Sequence, residues 1–280
     1  MITSLQNSLV KRAVRLSEKK RHRDSEGVFV IEGEKELLCA LANGISIETL
    51  LYCPELIGAN KQLTTDTAIE QQLESGGGQG TELVAVSGRV YGKIAYREKV
   101  GGLTAIARMP RQTIDELKLP ANPFILVIHG VEKPGNLGAL LRTADGAGVD
   151  VVIVCDADVD LFNPNVVRSS LGAVFTVKTF VLSMEKTIGW LAANKIKVIL
   201  STPQGDQDYT GIDYTGPVAV VLGSEKAGLP SQWLGQEVCK VKIPMYGQMD
   251  SLNVSTSGAI FFYEAVRQRK RVKEAKGVRL

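Results

Sequence analysis

Four runs in the second half of the chain, FILVIHG (124–130), VDVVIVCD (149–156), KVIL (197–200) and VAVVLG (218–223), are almost continuously apolar. A strand with one wet face alternates apolar and polar residues, so runs of this kind belong to strands covered on both sides. Helical segments separate them. Strands alternating with helices predict an α/β fold with a mostly parallel sheet, and ligands of such sheets bind outside the carboxyl ends of the strands.

The first hundred residues have a different rhythm. Leu5, Leu9, Ala13 and Leu16 recur on one face of a helix, while Arg12, Arg15 and Lys19 form a basic stripe on another. Short strands follow at 28–33, 48–53, 81–87 and 102–109, with a helix around 35–42 that stops at Asn43-Gly44. The polar, proline-bearing stretch 109–122 reads as a linker. Two domains are therefore expected, 1–108 and 123–280.

The net charge of +3 conceals an uneven layout. Residues 11–23 and 267–279 each hold seven basic residues against one acidic, +6 apiece, which leaves −9 for the rest. Basic ends suit a polyanionic partner, although charge at chain ends is often only solvated. No apolar run approaches the roughly 18 residues of a membrane span, and the first residues lack the apolar core of a secretory signal. Cys39, Cys53, Cys155 and Cys239 form no CxxC pair, and His22 and His129 are the only histidines. No metal, no membrane and a cytoplasmic location with reduced thiols are the expectations.

Three segments in the second half depart from packing logic. In VEKPGNLGALLRTADGAG (131–148), Asn136 is placed as the N-cap of a helix whose apolar face is Leu137, Leu140, Leu141 and Ala144. Arg142 shares a face with the small Ala139 and Gly146, which leaves room for an anion. In LGSEKAGLP (222–230), two glycines bracket Ser224 to Ala227, so a backbone can approach a ligand closely. In the third, Ser251-Leu252-Asn253 opens a long helix on which Ser251, Ser255 and Ala259 form a small-residue face. Taken singly, each has an ordinary packing explanation: a solvated arginine, a turn, a helix cap.

Together the three motifs resemble the SpoU (TrmH) family of RNA ribose 2′-O-methyltransferases, in the SPOUT superfamily. The resemblance rests on Asn136-Leu137-Gly138-Ala139 with Arg142-Thr143-Ala144, on Gly223-Ser224-Glu225 with Gly228, and on Ile243-Pro244-Met245 with Ser251-Leu252-Asn253-Val254. It covers about residues 123–270. More loosely, 1–108 resembles the family's ribosomal-protein-like RNA-binding domain, through the basic helix and Phe29 to Gly33.

The resemblance implies a trefoil-knotted catalytic domain, a homodimer built through it, and S-adenosylmethionine held near Thr202, Gly223, Ile243, Met245 and Leu252. It implies that Arg142 acts on the ribose hydroxyl, with Asn136, Ser251 and Asn253 positioning the reacting groups and Glu225 orienting them. A guanidinium is not deprotonated in proteins, so Arg142 is read as a phosphate clamp and oxyanion stabiliser. Arg12, Arg15, Lys19 and Arg168 are the candidate RNA contacts. Lys133 departs from the family, which often has an acidic residue there.

The substrate expected is structured RNA, ribosomal before transfer RNA. The competing reading is a non-catalytic RNA-binding protein that uses the knotted domain as a dimer scaffold. A nucleotide-dependent dehydrogenase is disfavoured because no GxGxxG follows FILVIHG.

Overall fold

A computed structural model describes residues 1–59, 80–96, 101–156, 159–224, 226, 228–234 and 238–275, without the side chains of 58, 59 and 273. The chain forms two compact units. The first comprises Met1–Arg111 and Asp160–Thr176; the second comprises Gln112–Val159 and Val177–Leu280.

The first unit is built on strands β1 (Val28–Glu32), β2 (Ile47–Tyr52), β3 (Glu82–Ala85) and β4 (Leu103–Arg108), in the order β1-β4-β2-β3. β4 runs antiparallel to both neighbours, and β2 pairs parallel with β3. Asn7 caps helix Ser8–Glu18 by accepting from the Leu9 amide at 2.8 Å. The buried seam of that helix is Val10, Ala13 and Leu16, while Leu5 and Leu9 are half-buried. Ala13 and Leu16 of the expected repeat are thus in the seam, while Val10 joins the buried cluster with Val28 and Val30 and Leu5 and Leu9 pack at its margin.

Four of the five β1 residues are buried, so both its faces are covered. One face meets the first helix. On the other, Phe29 lies 4.5 Å from the ring of Phe162 and 5.9 Å from that of Phe175. Those two rings belong to 160–176, a segment assigned from sequence to the 123–280 domain. By its contacts the segment groups with the first unit, where its aromatic residues and Asp160 find their partners. Arg23 is 1% exposed, and its Nε and Nη2 reach Asp160 at 2.7 and 2.6 Å. Its Nη1 donates to the carbonyls of Leu16 and Ser17.

The second unit is an α/β layer on a seven-stranded sheet in the order β7-β6-β5-β10-β8-β11-β9. The strands are β5 (Phe124–His129), β6 (Val151–Cys155), β7 (Lys178–Leu182), β8 (Lys197–Ser201), β9 (Gln207–Asp208), β10 (Val218–Leu222) and β11 (Cys239–Lys242). Every pair in it is parallel. The four apolar runs are β5, β6, β8 and β10, and β6 and β10 are buried at every position. The unanticipated β7 and β9 lie at the two edges, where half-exposed strands carry polar residues and leave no apolar run to find.

Helix Pro134–Gly146 buries Leu137, Leu140, Leu141 and Ala144, the face expected. Asn136 is not its cap. The helix starts at Pro134, whose fixed φ suits the first turn, and this places Asn136 within that turn. The long helix Val254–Ala275 packs on it through Gly258, where a Cβ would overlap the Leu140 side chain and come within 3.2 Å of Leu222. Gly258 is thus the point of close approach within the chain, and Ser255 and Ala259 stand half-buried beside it.

The basic C-terminal run is partly structural. Arg269 donates to the carbonyls of Tyr214, Asn122 and Gly216 at 2.8, 2.8 and 2.7 Å, and burial lowers its pKa. Arg267 holds Glu264 at 2.6 Å, which keeps that carboxyl below its usual range. Lys276 and Arg279 lie outside the described residues.

Candidate active site

β8 and β10 are neighbours at the centre of the sheet, and the loops after them open on one cleft of about 660 Å³. Such a volume suits a cofactor-sized ligand. Thr202 follows β8, Gly223 and Ser224 follow β10, and Ser251, Leu252 and Asn253 precede the long helix; all six line the cleft. A Cβ on Gly223 would meet the backbone of Gly228, so only glycine lets this turn close. Ser224 and Gly228 then exchange backbone hydrogen bonds at 3.2 and 3.1 Å. Gly228 has φ +64°, a left-handed conformation that also favours glycine.

Asn253 has two tasks. Its Oδ1 caps the long helix by accepting from the Ser255 amide at 2.9 Å and the Ser255 hydroxyl at 2.6 Å. Its Nδ2 donates to Asn136 Oδ1 at 3.4 Å, across 117 residues of sequence. The sequence left a choice between cap and functional group; the structure shows the cap and brings the side chain to Asn136. Ser251 donates to Asp250 at 3.1 Å and stays exposed.

Arg142 projects from the exposed side of helix Pro134–Gly146, and among the described residues no hydrogen bond or ion pair engages it. Ile243 and Met245 follow β11 and are half-buried, but they are not among the residues lining the cleft. Glu225 lies outside the described residues. Lys133 lines the cleft, as do Gln204, Lys226 and Asp250, which the sequence reading passed over. The signal available for those three was adjacency to Thr202, Ser224 and Ser251. Lys226 pairs with Glu132 at 2.8 Å across an exposed surface, where such a bridge contributes at most about 1 kcal/mol.

The candidate RNA contacts fall in the first unit. Arg12 is held by Glu26 and Glu48, each at 2.6 Å, and those carboxylates raise its pKa. Arg15 and Lys19 are exposed. Arg168 donates to Asn165 at 2.8 Å and stands 5.6 Å over the ring of Tyr96.

The model of the SpoU rRNA Methylase family matches residues 123–263, and that of the MRM3-like substrate binding domain matches 7–105. The chain belongs to the SpoU rRNA methylase family. Among relatives of this SpoU chain, the Bacillus subtilis 23S rRNA (guanosine(2553)-2′-O)-methyltransferase RlmP is 30% identical, over 94% of this chain and 97% of the relative. A 23S rRNA (guanosine-2′-O-)-methyltransferase RlmB from Shewanella oneidensis is 34% identical, over 68% and 80%. Among solved structures, an RNA 2′-O ribose methyltransferase is 38% identical with a TM-score of 0.80, covering 96% of this chain and 99% of that one. An AdoMet-bound rRNA methyltransferase from Sinorhizobium meliloti is 29% identical with a TM-score of 0.83, covering 95% and 97%. The cleft of the SpoU chain thus sits within the matched region, and the matches extend over both of its units.

Proposed function

We propose that this SpoU protein methylates a ribose 2′-hydroxyl of ribosomal RNA, using S-adenosylmethionine. The observation that carries the reading is the meeting of Asn136 and Asn253 beside the cleft of Thr202, Gly223 and Leu252. Relatives named as 23S rRNA methyltransferases, matched over most of their length, favour ribosomal over transfer RNA.

The residues fit the cofactor on structural grounds: the glycine turn at 223 admits a ligand against main chain, and the cleft has adequate volume. Thr202, Gly223 and Leu252 would hold it; Ile243 and Met245, which do not line the cleft, are assigned to it from the family resemblance alone. When bound, it supplies an electrophilic methyl group. A ribose hydroxyl is a weak nucleophile, so its developing negative charge needs stabilisation. Arg142 is suited to that task and to clamping the adjacent phosphate, because a guanidinium keeps its charge and presents five donors. Asn136, Ser251 and Asn253 orient the reacting groups, and Glu225 is assigned its orienting role from the family resemblance alone. The proton leaves to an RNA phosphate, another side chain or water.

Arg15 and Lys19 are the favoured phosphate contacts of the first unit, since exposed ammonium and guanidinium groups gain from counterion release. Arg168 is retained with them, and Arg12 contributes while held by its two carboxylates. The trefoil knot and the homodimer are further parts of this reading. Both follow from membership of the SpoU family. A cytoplasmic site of action is in keeping with free thiols at all four cysteines. Among the described residues, no helix is long and apolar enough to cross a membrane.

Mapping 2′-O-methyl sites in total RNA with and without the protein tests the function. A 23S rRNA site should vanish when the protein is absent, and identical maps would sink the proposal. Gly223→Ala tests the cofactor cradle. A Cβ there meets the Gly228 backbone and displaces the turn that lines the cleft, which costs about 1–3 kcal/mol of stability, and calorimetry should show reduced affinity for S-adenosylmethionine. Unchanged affinity would remove Gly223 from the cradle.

A further inference from the structure

The carboxyl ends of β5 and β6 carry a cluster that methyl transfer does not use. His129 stands opposite Cys155 in the parallel register. Alternate residues of these strands, Ile125 and Val127 on β5 and Val151 and Ile153 on β6, share one core face, which brings the imidazole and the thiol together at its end. The chain then leaves β6 through Asp156 at φ 45°, a left-handed conformation uncommon outside glycine. One ligand atom from each of His129, Cys155 and Asp156 lies within 4.8 Å of the others.

Several observations point to an ion there. His129 Nδ1 is buried without a hydrogen-bond partner among the described residues, a condition that ordinarily costs about 1–3 kcal/mol. A divalent ion with one thiolate and one carboxylate is electrically neutral, which limits the cost of burying charge. A pocket of about 310 Å³, lined by His129, Glu132, Asp156 and Ser224 among others, supplies an entry path and room for a fourth ligand.

We propose that His129, Cys155 and Asp156 bind a zinc-class divalent ion, with the fourth position open to this pocket. The nitrogen, sulfur and oxygen donor set suits zinc and excludes the all-oxygen preference of calcium and magnesium. Bonds of about 2.0–2.3 Å place tetrahedral ligands roughly 3.3–3.8 Å apart. The three side chains must therefore draw in by up to about 1 Å as the ion enters. Asp156 already accepts from the Met184 amide at 3.2 Å, a contact that orients a ligating carboxylate. The sequence expectation of no metal followed from the absence of CxxC and the scarcity of histidine; two adjacent strands supply a donor set that no sequence spacing displays.

The test uses the full-length protein, stripped with chelator and titrated with zinc alone, and separately with cobalt(II) as a spectroscopic probe. Zinc should remain with the chain at one ion per molecule after gel filtration. The cobalt form should show a thiolate-to-metal charge-transfer band that Cys155→Ser abolishes. His129→Gln and Asp156→Asn should each weaken zinc binding by more than the roughly tenfold typical of losing an outer-shell partner. Because Cys155 is buried and its variant risks misfolding, the exposed Asp156→Asn keeps the test open. No stoichiometric zinc, a cobalt band that survives Cys155→Ser, or unchanged affinity in both other variants would overturn the site.

Discussion

Arg142→Ala should lower the rate of methyl transfer by at least about 10²–10³-fold, the usual effect of removing a donor aimed at a developing oxyanion. Fold and cofactor affinity should hardly change. Arg142 projects from the exposed side of its helix, and among the described residues it makes no side-chain bond whose loss would be felt. Surface substitutions of that kind usually alter stability by less than about 0.5 kcal/mol. Single-turnover methylation of RNA, with calorimetry for S-adenosylmethionine and a thermal melt alongside, separates these quantities. Arg142→Lys adds resolution, since it retains charge but loses the planar fork and should recover only part of the rate. Wild-type methylation by the alanine variant would remove Arg142 from the mechanism.

The second large effect is on stability. Asp160→Ala should destabilise the protein by about 3–5 kcal/mol, because it strands a guanidinium in the interior. Arg23 is 1% exposed, and its Nε and Nη2 both depend on the Asp160 carboxylate. The two main-chain carbonyls that Nη1 contacts offer no compensating charge. Equilibrium denaturation measures the change, and Asp115→Ala is the control. Asp115 pairs with Lys186 where both side chains are about half exposed or more, at 64% and 49%, so its loss should cost at most about 1 kcal/mol. Equal effects from the two variants would show that the Arg23–Asp160 pair is not buried in the way described.

This pair also bears on how the chain should be divided. A cut at residue 108 would separate Phe29 and Arg23 from Phe162, Phe175 and Asp160, which complete the same core. By contacts, the main division falls between Arg111 and Gln112. The return of 160–176 to the first unit left no trace in composition, since its residues read as an ordinary crossover between β6 and β7. Arg23 illustrates the same limit. It was counted in a basic run suited to RNA, and only burial against Asp160 distinguishes it from exposed Arg15 and Lys19.

Local chemistry by itself determined the α/β class, the central strands and the apolar face of helix Pro134–Gly146. Those features follow from side-chain periodicity and the exclusion of water, which act over a few residues. The three motifs and their order were legible for the same reason, and they carried the resemblance that the family match now shows. Tertiary structure decided what periodicity cannot encode. Asn136 became a partner of Asn253 instead of a cap, Gly258 became the point where two helices meet, and Arg269 became a buried clamp on main-chain carbonyls. Each depends on groups far apart in sequence, where hydrogen-bond geometry and close packing select among arrangements that local preference leaves equal.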